Sequence, residues 1–104
     1  MDSDMKTGDK RLESRTYIIG REGHIYINDP TVSKQHAEIQ IINGEVYLRD
    51  LGSTNGTFLT KNNRLVPFAE GYVQLRQPIV LGNRQYTIQS LLEIAGAFAA
   101  PSFD

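Results

Sequence analysis

The strongest structural signal in the sequence is the segment AEIQIINGEVYLR, which runs from Ala37 to Arg49. Apolar and polar residues alternate from Ala37 to Ile41, which is the period of a β-strand with one buried face. An Asn43-Gly44 pair separates this run from a second one, and both residue types tolerate the positive φ of a type I′ turn. The segment therefore predicts an antiparallel β-hairpin.

Other short apolar runs, separated by turn residues, occur on both sides of this hairpin. A Gly82-Asn83 pair between two of them predicts a second hairpin. Many short strands, with turn signals about every eight to twelve residues, predict an all-β sandwich. The exception is Gln89 to Ala100, which suits a short C-terminal helix that Pro101 would end.

Composition excludes several classes of protein. The 104 residues match the length of a single domain, and their formal net charge is −1. This balance argues against a nucleic-acid binder, since a phosphate backbone favours a clear basic excess. With 39% hydrophobic and 22% charged residues, the chain is expected to be globular. The absence of cysteine excludes a disulfide framework, a thiolate nucleophile and a cysteine-based zinc site.

Neither a targeting signal nor a membrane segment is expected. Residues 1–6 carry acid where a signal peptide needs a basic stretch. The most apolar stretch, Leu91 to Ala100, is far short of the roughly 20 residues that a spanning helix requires. A cytoplasmic location, without membrane contact, is therefore the expectation.

Three polar clusters lie at the ends of predicted strands. They are Gly20-Arg21, Ser33-Lys34-Gln35-His36 and the segment from Asp50 to Thr57. Loops at one end of a sandwich can converge, as binding loops do on such scaffolds. Together the clusters supply one Arg, one Lys, several hydroxyls, one Asn and glycines that expose backbone N–H groups. This set of donors suits a phosphate, which has three acceptor oxygens and about −1.5 to −2 charge.

In this order, the three clusters resemble the signature blocks of the forkhead-associated (FHA) domain family. The resemblance extends from about Leu12 to Leu92, and the block from Asp50 to Phe58 is its most specific part. It implies a β-sandwich of about eleven strands that binds phosphothreonine peptides through loops at one end. The chain would then comprise a polar lead-in (1–11), an FHA domain (12–92) and a C-terminal helix or linker (93–104).

The resemblance also implies roles for individual residues. Arg21 would reach the phosphate and brace the neighbouring peptide backbone, Ser33 would donate its hydroxyl to a phosphate oxygen, and Lys34 would add charge. Thr54 would support the phosphate and help form a niche for the threonine methyl group. Asn55 would hold the peptide main chain just past the phosphorylated residue. The residues expected to support the site structurally are Gly20, His36 and Gly56.

Two departures from the family pattern lie inside the expected site. Lys34 stands where the family most often has Arg, which replaces a planar fork by a point charge. Only Glu22 and Gly23 separate Gly20-Arg21 from the next apolar run, a shorter turn than is usual in the family. Both departures bear on peptide specificity, which family members usually set with loop side chains, here near Thr31, Lys61 and Asn62.

Catalysis and metal binding are weaker hypotheses. Ser33, His36 and Asp50 could form a hydrolytic triad on paper, but the sequence has no nucleophile elbow. His24 and His36 have no carboxylate or cysteine at ligand spacing, so no metal site is expected. The chain is therefore predicted to be a non-enzymatic protein without a cofactor.

The favoured hypothesis is a phosphothreonine-binding module in Ser/Thr-kinase signalling, acting as part of a larger protein or assembly. Its rival is a phosphate-independent FHA scaffold that packs on a partner, or on itself, through a sheet face. The first hypothesis is favoured by the presence of four donors for a single phosphopeptide, Arg21, Ser33, Thr54 and Asn55. A phosphate-independent scaffold has no physical need for them. A further hypothesis is that Thr7 is phosphorylated and folds back onto the loops.

Overall fold

The structure, a computed structural model, describes residues 15–97 and contains nine β-strands and one α-helix in that part of the chain. The strands are β1 Arg15–Gly20, β2 Ile25–Tyr26, β3 Ala37–Ile42, β4 Glu45–Asp50, β5 Thr57–Lys61, β6 Arg64–Pro67, β7 Glu70–Val73, β8 Pro78–Leu81 and β9 Arg84–Thr87. The helix α1 is Ile88–Ile94. The predicted all-β architecture is confirmed, with nine strands here rather than about eleven. The polar lead-in and Thr7 lie outside the described residues.

The strands form two sheets. The first sheet has the order β2-β1-β3-β4-β7, and the second has the order β6-β5-β8-β9. All neighbouring pairs are antiparallel except β1 and β2, which are parallel. Both predicted hairpins are confirmed. Asn43 and Gly44 have positive φ values of 52° and 80° between β3 and β4, and Gly82-Asn83 joins β8 to β9.

The core lies between the inner faces of the two sheets. Alternation along the strands turns Ile19, Ile39 and Leu48 inward from the first sheet and Ile79 and Leu81 inward from the second, all fully buried. Burying each of these side chains contributes roughly 1.5–3 kcal/mol. A core packed in this way gives the loops at its ends a rigid base.

The helix α1 packs between the edge strands β2 and β9. It begins after a capping box in which Ser90 N donates to Thr87 Oγ1 (3.1 Å) and Thr87 N donates to Ser90 Oγ (3.0 Å). It ends earlier than the predicted Ala100, because Gly96 has a φ of 76° and Ala97 N bonds back to Leu92 O. Among the described residues, no helix has the length and apolarity to cross a membrane.

Candidate functional site

The three polar clusters meet at one end of the sandwich. Gly20 ends β1, the second cluster leads into β3, and the third joins β4 to β5. Two backbone hydrogen bonds join the first cluster to the second: Arg21 N donates to Ser33 O (3.1 Å), and Glu22 N donates to Lys34 O (2.9 Å). Arg21 and the Ser33-Lys34 pair therefore lie side by side.

Gly20 makes this close approach possible. Its φ is 157°, and a Cβ atom at this position would overlap the carbonyl oxygen of Lys34 and lie 2.6 Å from that of Ser33. A residue with a side chain does not fit here without moving the backbone. Gly20 thus sets the distance between the Arg21 segment and the Ser33 segment.

The Arg21 side chain is partly anchored and partly available. Its Nε donates to Val32 O at 2.7 Å, which orients the guanidinium group. Within residues 15–97, the terminal nitrogens Nη1 and Nη2 have no hydrogen-bond partner, and the residue is exposed. These nitrogens present up to four N–H groups to an anion that approaches from solvent.

Lys34 carries the second positive charge of the site. Its Nζ lies 3.8 Å from Glu22 Oε2, and the two side chains are 63% and 62% exposed. An exposed pair at this distance is weak and is screened by salt. Lys34 can therefore exchange Glu22 for a more highly charged partner.

His36 connects the second and third clusters from the interior of the protein, where it is fully buried. Ser33 N donates to its Nδ1 (3.0 Å), so Nε2 bears the ring hydrogen and donates to Gly56 O at 2.8 Å. Its backbone bonds to β1 and to the third cluster, since His36 N donates to Ile19 O (2.7 Å) and Leu51 N donates to His36 O (3.0 Å). The imidazole is thus a bridge between the second cluster and the third.

Asp50 organises the third cluster. Its Oδ2 accepts from Gly52 N (2.9 Å) and Ser53 N (3.0 Å), and its Oδ1 accepts from Ser53 Oγ (2.6 Å) and Thr57 Oγ1 (2.7 Å). Burial raises the pKa of Asp50, but these hydrogen bonds outweigh burial, so the pKa lies below its usual value. Asp50 is therefore a carboxylate anion that is stabilised by hydrogen bonds from its own loop.

These contacts do not assemble the hydrolytic triad considered above. Both His36 nitrogens bond to backbone groups, of Ser33 and Gly56, rather than to the Ser33 hydroxyl or to Asp50. His24 is also engaged, because its Nδ1 accepts from Ile18 N at 2.9 Å. In the part of the chain that the structure describes, no group of three or more potential metal ligands occurs.

Thr54 and Asn55 lie at the tip of the third cluster, beside the second. Thr54 N donates to Ser33 Oγ at 3.0 Å. The Ser33 hydroxyl oxygen accepts this bond, so its hydrogen is left to donate to an incoming oxygen. Asn55 Nδ2 donates to Thr31 O at 2.8 Å, which places the exposed amide of Asn55 next to the Ser33 loop.

No motif in the sequence connects the Gly82-Asn83 turn with the site. In the structure, Asn83 N donates to Thr31 Oγ1 (2.9 Å), and Arg84 Nη1 lies 3.3 Å from Asp29 Oδ2. Hydrogen bonds from the Thr31 hydroxyl and backbone N–H hold the pKa of Asp29 below its ordinary value, with a smaller contribution from Arg84. Asp29-Pro30-Thr31 carries a local turn signal, but the partner turn is 52 residues away in the chain.

Two residues expected to influence peptide specificity lie away from this end. The strand β5 begins beside the site at Thr57 and ends at Lys61, which places Lys61 about 13 Å further along at the usual rise per residue. Asn62 follows in the turn to β6, at the opposite end of the sandwich. Of the three positions considered, only Thr31 lies at the site.

The arrangement suits a tetrahedral dianion. Its positive groups are the Arg21 guanidinium and the Lys34 ammonium, and the Ser33 hydroxyl is a neutral donor in the same loops. The Asp50 carboxylate in the adjacent loop bonds to that loop's own donors. Charge-assisted hydrogen bonds from such a set are shorter and stronger than neutral ones.

Comparison with known proteins gives a consistent family match. The family model described as FHA domain matches residues 17–83. The oxoglutarate dehydrogenase inhibitor of Corynebacterium efficiens is 42% identical over 55 residues, which are 51% of this chain and 39% of that protein. The glycogen accumulation regulator GarA of Mycolicibacterium smegmatis is 38% identical over 52 residues, or 48% of this chain and 33% of that protein. The matched part is thus less than half the length of either relative.

Solved structures share the fold over a larger part of the chain. The FhaA FHA domain, complexed with the intracellular domain of Rv3910, is 33% identical with a TM-score of 0.61, over 79% of this chain and 89% of that one. Another, from a structural and functional analysis of phosphothreonine-dependent FHA domain interactions, is 32% identical with a TM-score of 0.62. It covers 71% of this chain and 75% of that one.

Proposed function

Because this chain belongs to the FHA domain family, we propose that it recognises phosphothreonine-containing segments of partner proteins in Ser/Thr-kinase signalling. Membership of this family supports the general function of a protein-interaction module. Two relatives are named as an inhibitor and as a regulator, and such names suit a module that acts by binding rather than by catalysis. The partner would be a phosphorylated protein, bound as part of a larger assembly.

One observation carries the proposal: backbone hydrogen bonds join the Arg21 segment to Ser33 and Lys34, and Thr54 N bonds to the Ser33 hydroxyl. A phosphate that contacts several of these neighbouring donors would be discriminated from a plain hydroxyl by several hydrogen bonds at once. Each hydrogen bond to a charged group is worth about 1.5–3 kcal/mol. The oxygens of the neighbouring Asp50 carboxylate accept hydrogen bonds from their own loop, so this carboxylate does not occupy Arg21 or Lys34.

The proposal is tested by calorimetric titration of the protein with a degenerate phosphothreonine peptide pool and with the same pool unphosphorylated. Saturable binding of the phosphorylated pool alone would support phosphothreonine recognition. Equal binding of both pools, or binding of neither, would contradict it. The remaining candidate would then be a phosphate-independent interaction through a sheet face.

Replacing Arg21 by alanine is expected to weaken binding of the phosphorylated pool about 30- to 100-fold, because at least one charge-assisted hydrogen bond is lost. Its side chain is exposed and makes one hydrogen bond within residues 15–97, so stability should fall by only about 1 kcal/mol. Arg64→Ala, at the opposite end of the sandwich, makes the same change in net charge and is the matched control. Similar losses of affinity in both variants would show that net charge, and not the site, is responsible.

Replacing Glu22 by glutamine is expected to raise the affinity for the phosphorylated pool about two- to threefold at low salt. Glu22 forms an ion pair with Lys34 in the free protein, and an exposed pair of this kind is worth about 0.2–1 kcal/mol. The gain should shrink as ionic strength rises, since salt screens exposed charges. Titrations at two salt concentrations, with Glu45→Gln as a control, measure the effect. An unchanged or lower affinity for Glu22→Gln would exclude competition between Glu22 and the phosphate.

A further inference from the structure

We propose that Thr31 is the positioning residue for Asn55, and that through Thr31 the Gly82-Asn83 turn becomes part of the peptide-binding end. This inference rests on the proposed function, in which Asn55 holds the main chain of the bound peptide. Thr31 itself acts through Asn55 and through the turn. The observations that carry it are the hydrogen bonds of its carbonyl and of its side chain.

The carbonyl of Thr31 orients the Asn55 amide. Asn55 Nδ2 donates to Thr31 O at 2.8 Å, although the Asn55 residue is exposed. This bond uses one of the two amide hydrogens. Within residues 15–97 the second hydrogen and the Oδ1 acceptor have no partner, and a peptide main chain requires one donor and one acceptor. Thr31 thus directs the part of the amide that a ligand would use.

The carboxylate of Asp29 holds Thr31 in place. Asp29 Oδ1 accepts from Thr31 N at 2.8 Å and also from the Thr31 hydroxyl, while Asp29 Oδ2 lies 3.3 Å from Arg84 Nη1. Val32 N donates to Asp29 O at 3.0 Å and closes the turn. With its backbone N–H and its hydroxyl bound to one carboxylate oxygen, Thr31 has little freedom to rotate its carbonyl away from Asn55.

The Gly82-Asn83 turn packs on the same residue. Asn83 N donates to Thr31 Oγ1 at 2.9 Å. Gly82 has a φ of 60°, and a Cβ atom there would overlap the Thr31 carbonyl oxygen. Gly82 N also donates to Gly56 O at 3.3 Å, next to Asn55 in the chain. The turn and Asn55 therefore meet at the Thr31 peptide group.

Removal of the Thr31 hydroxyl tests this coupling. Thr31→Val keeps the shape of the side chain and the backbone bond to Asp29, but it loses the hydroxyl's bonds to Asp29 and Asn83, whereas Thr31→Ser keeps them. Asn55 would then have to be ordered during binding, at the entropic cost of immobilising one side chain. We expect Thr31→Val to bind the phosphothreonine peptide pool about three- to tenfold more weakly, and Thr31→Ser to bind like the wild type.

A double-mutant cycle separates positioning from a general structural effect. In an Asn55→Ala background, Thr31→Val should cause no further loss, because the residue that it positions is absent. The same loss in both backgrounds would overturn the proposal. Equal binding by Thr31→Val and wild type would also overturn it, while the binding of phosphorylated peptides by the wild type would leave the proposed function intact.

A second measurement does not depend on ligand binding. In the NMR spectrum of the free protein, the Asn55 side-chain amide should shift in Thr31→Val, and its heteronuclear NOE should fall. The Asn62 side chain, at the opposite end of the sandwich, is the internal control and should not change. An unaltered Asn55 amide in Thr31→Val would show that Thr31 does not hold it, even if no phosphopeptide binds the wild type.

Discussion

Replacing Gly20 by alanine is expected to destabilise the protein by about 3 kcal/mol and to abolish binding of the phosphothreonine peptide pool. The new Cβ atom would overlap the Lys34 carbonyl oxygen and crowd that of Ser33. Both obstacles are backbone atoms, which cannot turn away as the end of a flexible side chain could. The segments must separate, and the Arg21 N–Ser33 O and Glu22 N–Lys34 O hydrogen bonds would be lost.

Gly52→Ala is the matched control for this substitution. Gly52 has a φ of 71°, and among residues 15–97 no atom beyond its chain neighbours lies within 4 Å of the position a Cβ would take. Its replacement should cost about 1–2 kcal/mol, the ordinary penalty for a left-handed residue with a side chain. Urea denaturation measures both variants. An equal loss of stability in the two would mean that the crowding at Gly20 is relieved by a small backbone shift.

Replacing His36 by alanine is expected to cost about 3–4 kcal/mol. The imidazole is fully buried, so its removal leaves a cavity and leaves Ser33 N and Gly56 O without the partners they have now. Because these two groups belong to different clusters, the second and third clusters should also separate. Phosphopeptide affinity is therefore expected to fall together with stability, although His36 is too deeply buried to touch a ligand.

Two further variants make the His36 prediction specific. His24→Ala removes the other histidine of the chain, which is exposed and accepts one backbone hydrogen bond from Ile18. It should cost no more than about 1 kcal/mol. His36→Asn places an amide oxygen near the position of Nδ1 and should recover part of the lost stability. If His36→Asn were as unstable as His36→Ala, the Ser33 hydrogen bond would not be what the imidazole contributes.

The fold follows from signals that act over a few residues. Alternation from Ala37 to Ile41 and the Asn43-Gly44 turn specify a hairpin because a strand exposes successive side chains to opposite faces and an Asn-Gly pair accepts positive φ. Such preferences do not depend on the rest of the protein. The helix boundary was less predictable: its apolar residues continue to Ala100, but Gly96 adopts the left-handed conformation that ends a helix at Ile94.

The polar clusters at the strand ends were also evident from residue types. An Arg, a Lys, hydroxyls and glycines in loops indicate a phosphate site by their chemistry alone. Their order along the chain is what resembles the FHA family. The carboxylate of Asp50 was not recognised as the organiser of its loop, although its bonds to Gly52, Ser53 and Thr57 span only two to seven residues.

The amino-acid sequence alone was sufficient for the sandwich class, the two hairpins and the chemistry of the loops. The packing of the two sheets determined which loops become neighbours: it brings Asn83 to Thr31 across 52 residues and Asn55 to Thr31 across 24, and it places Lys61 at the far end. Turn and strand preferences act between near neighbours in the chain. Contacts between distant loops depend instead on register and on burial of the shared core, which exist only once both sheets have formed.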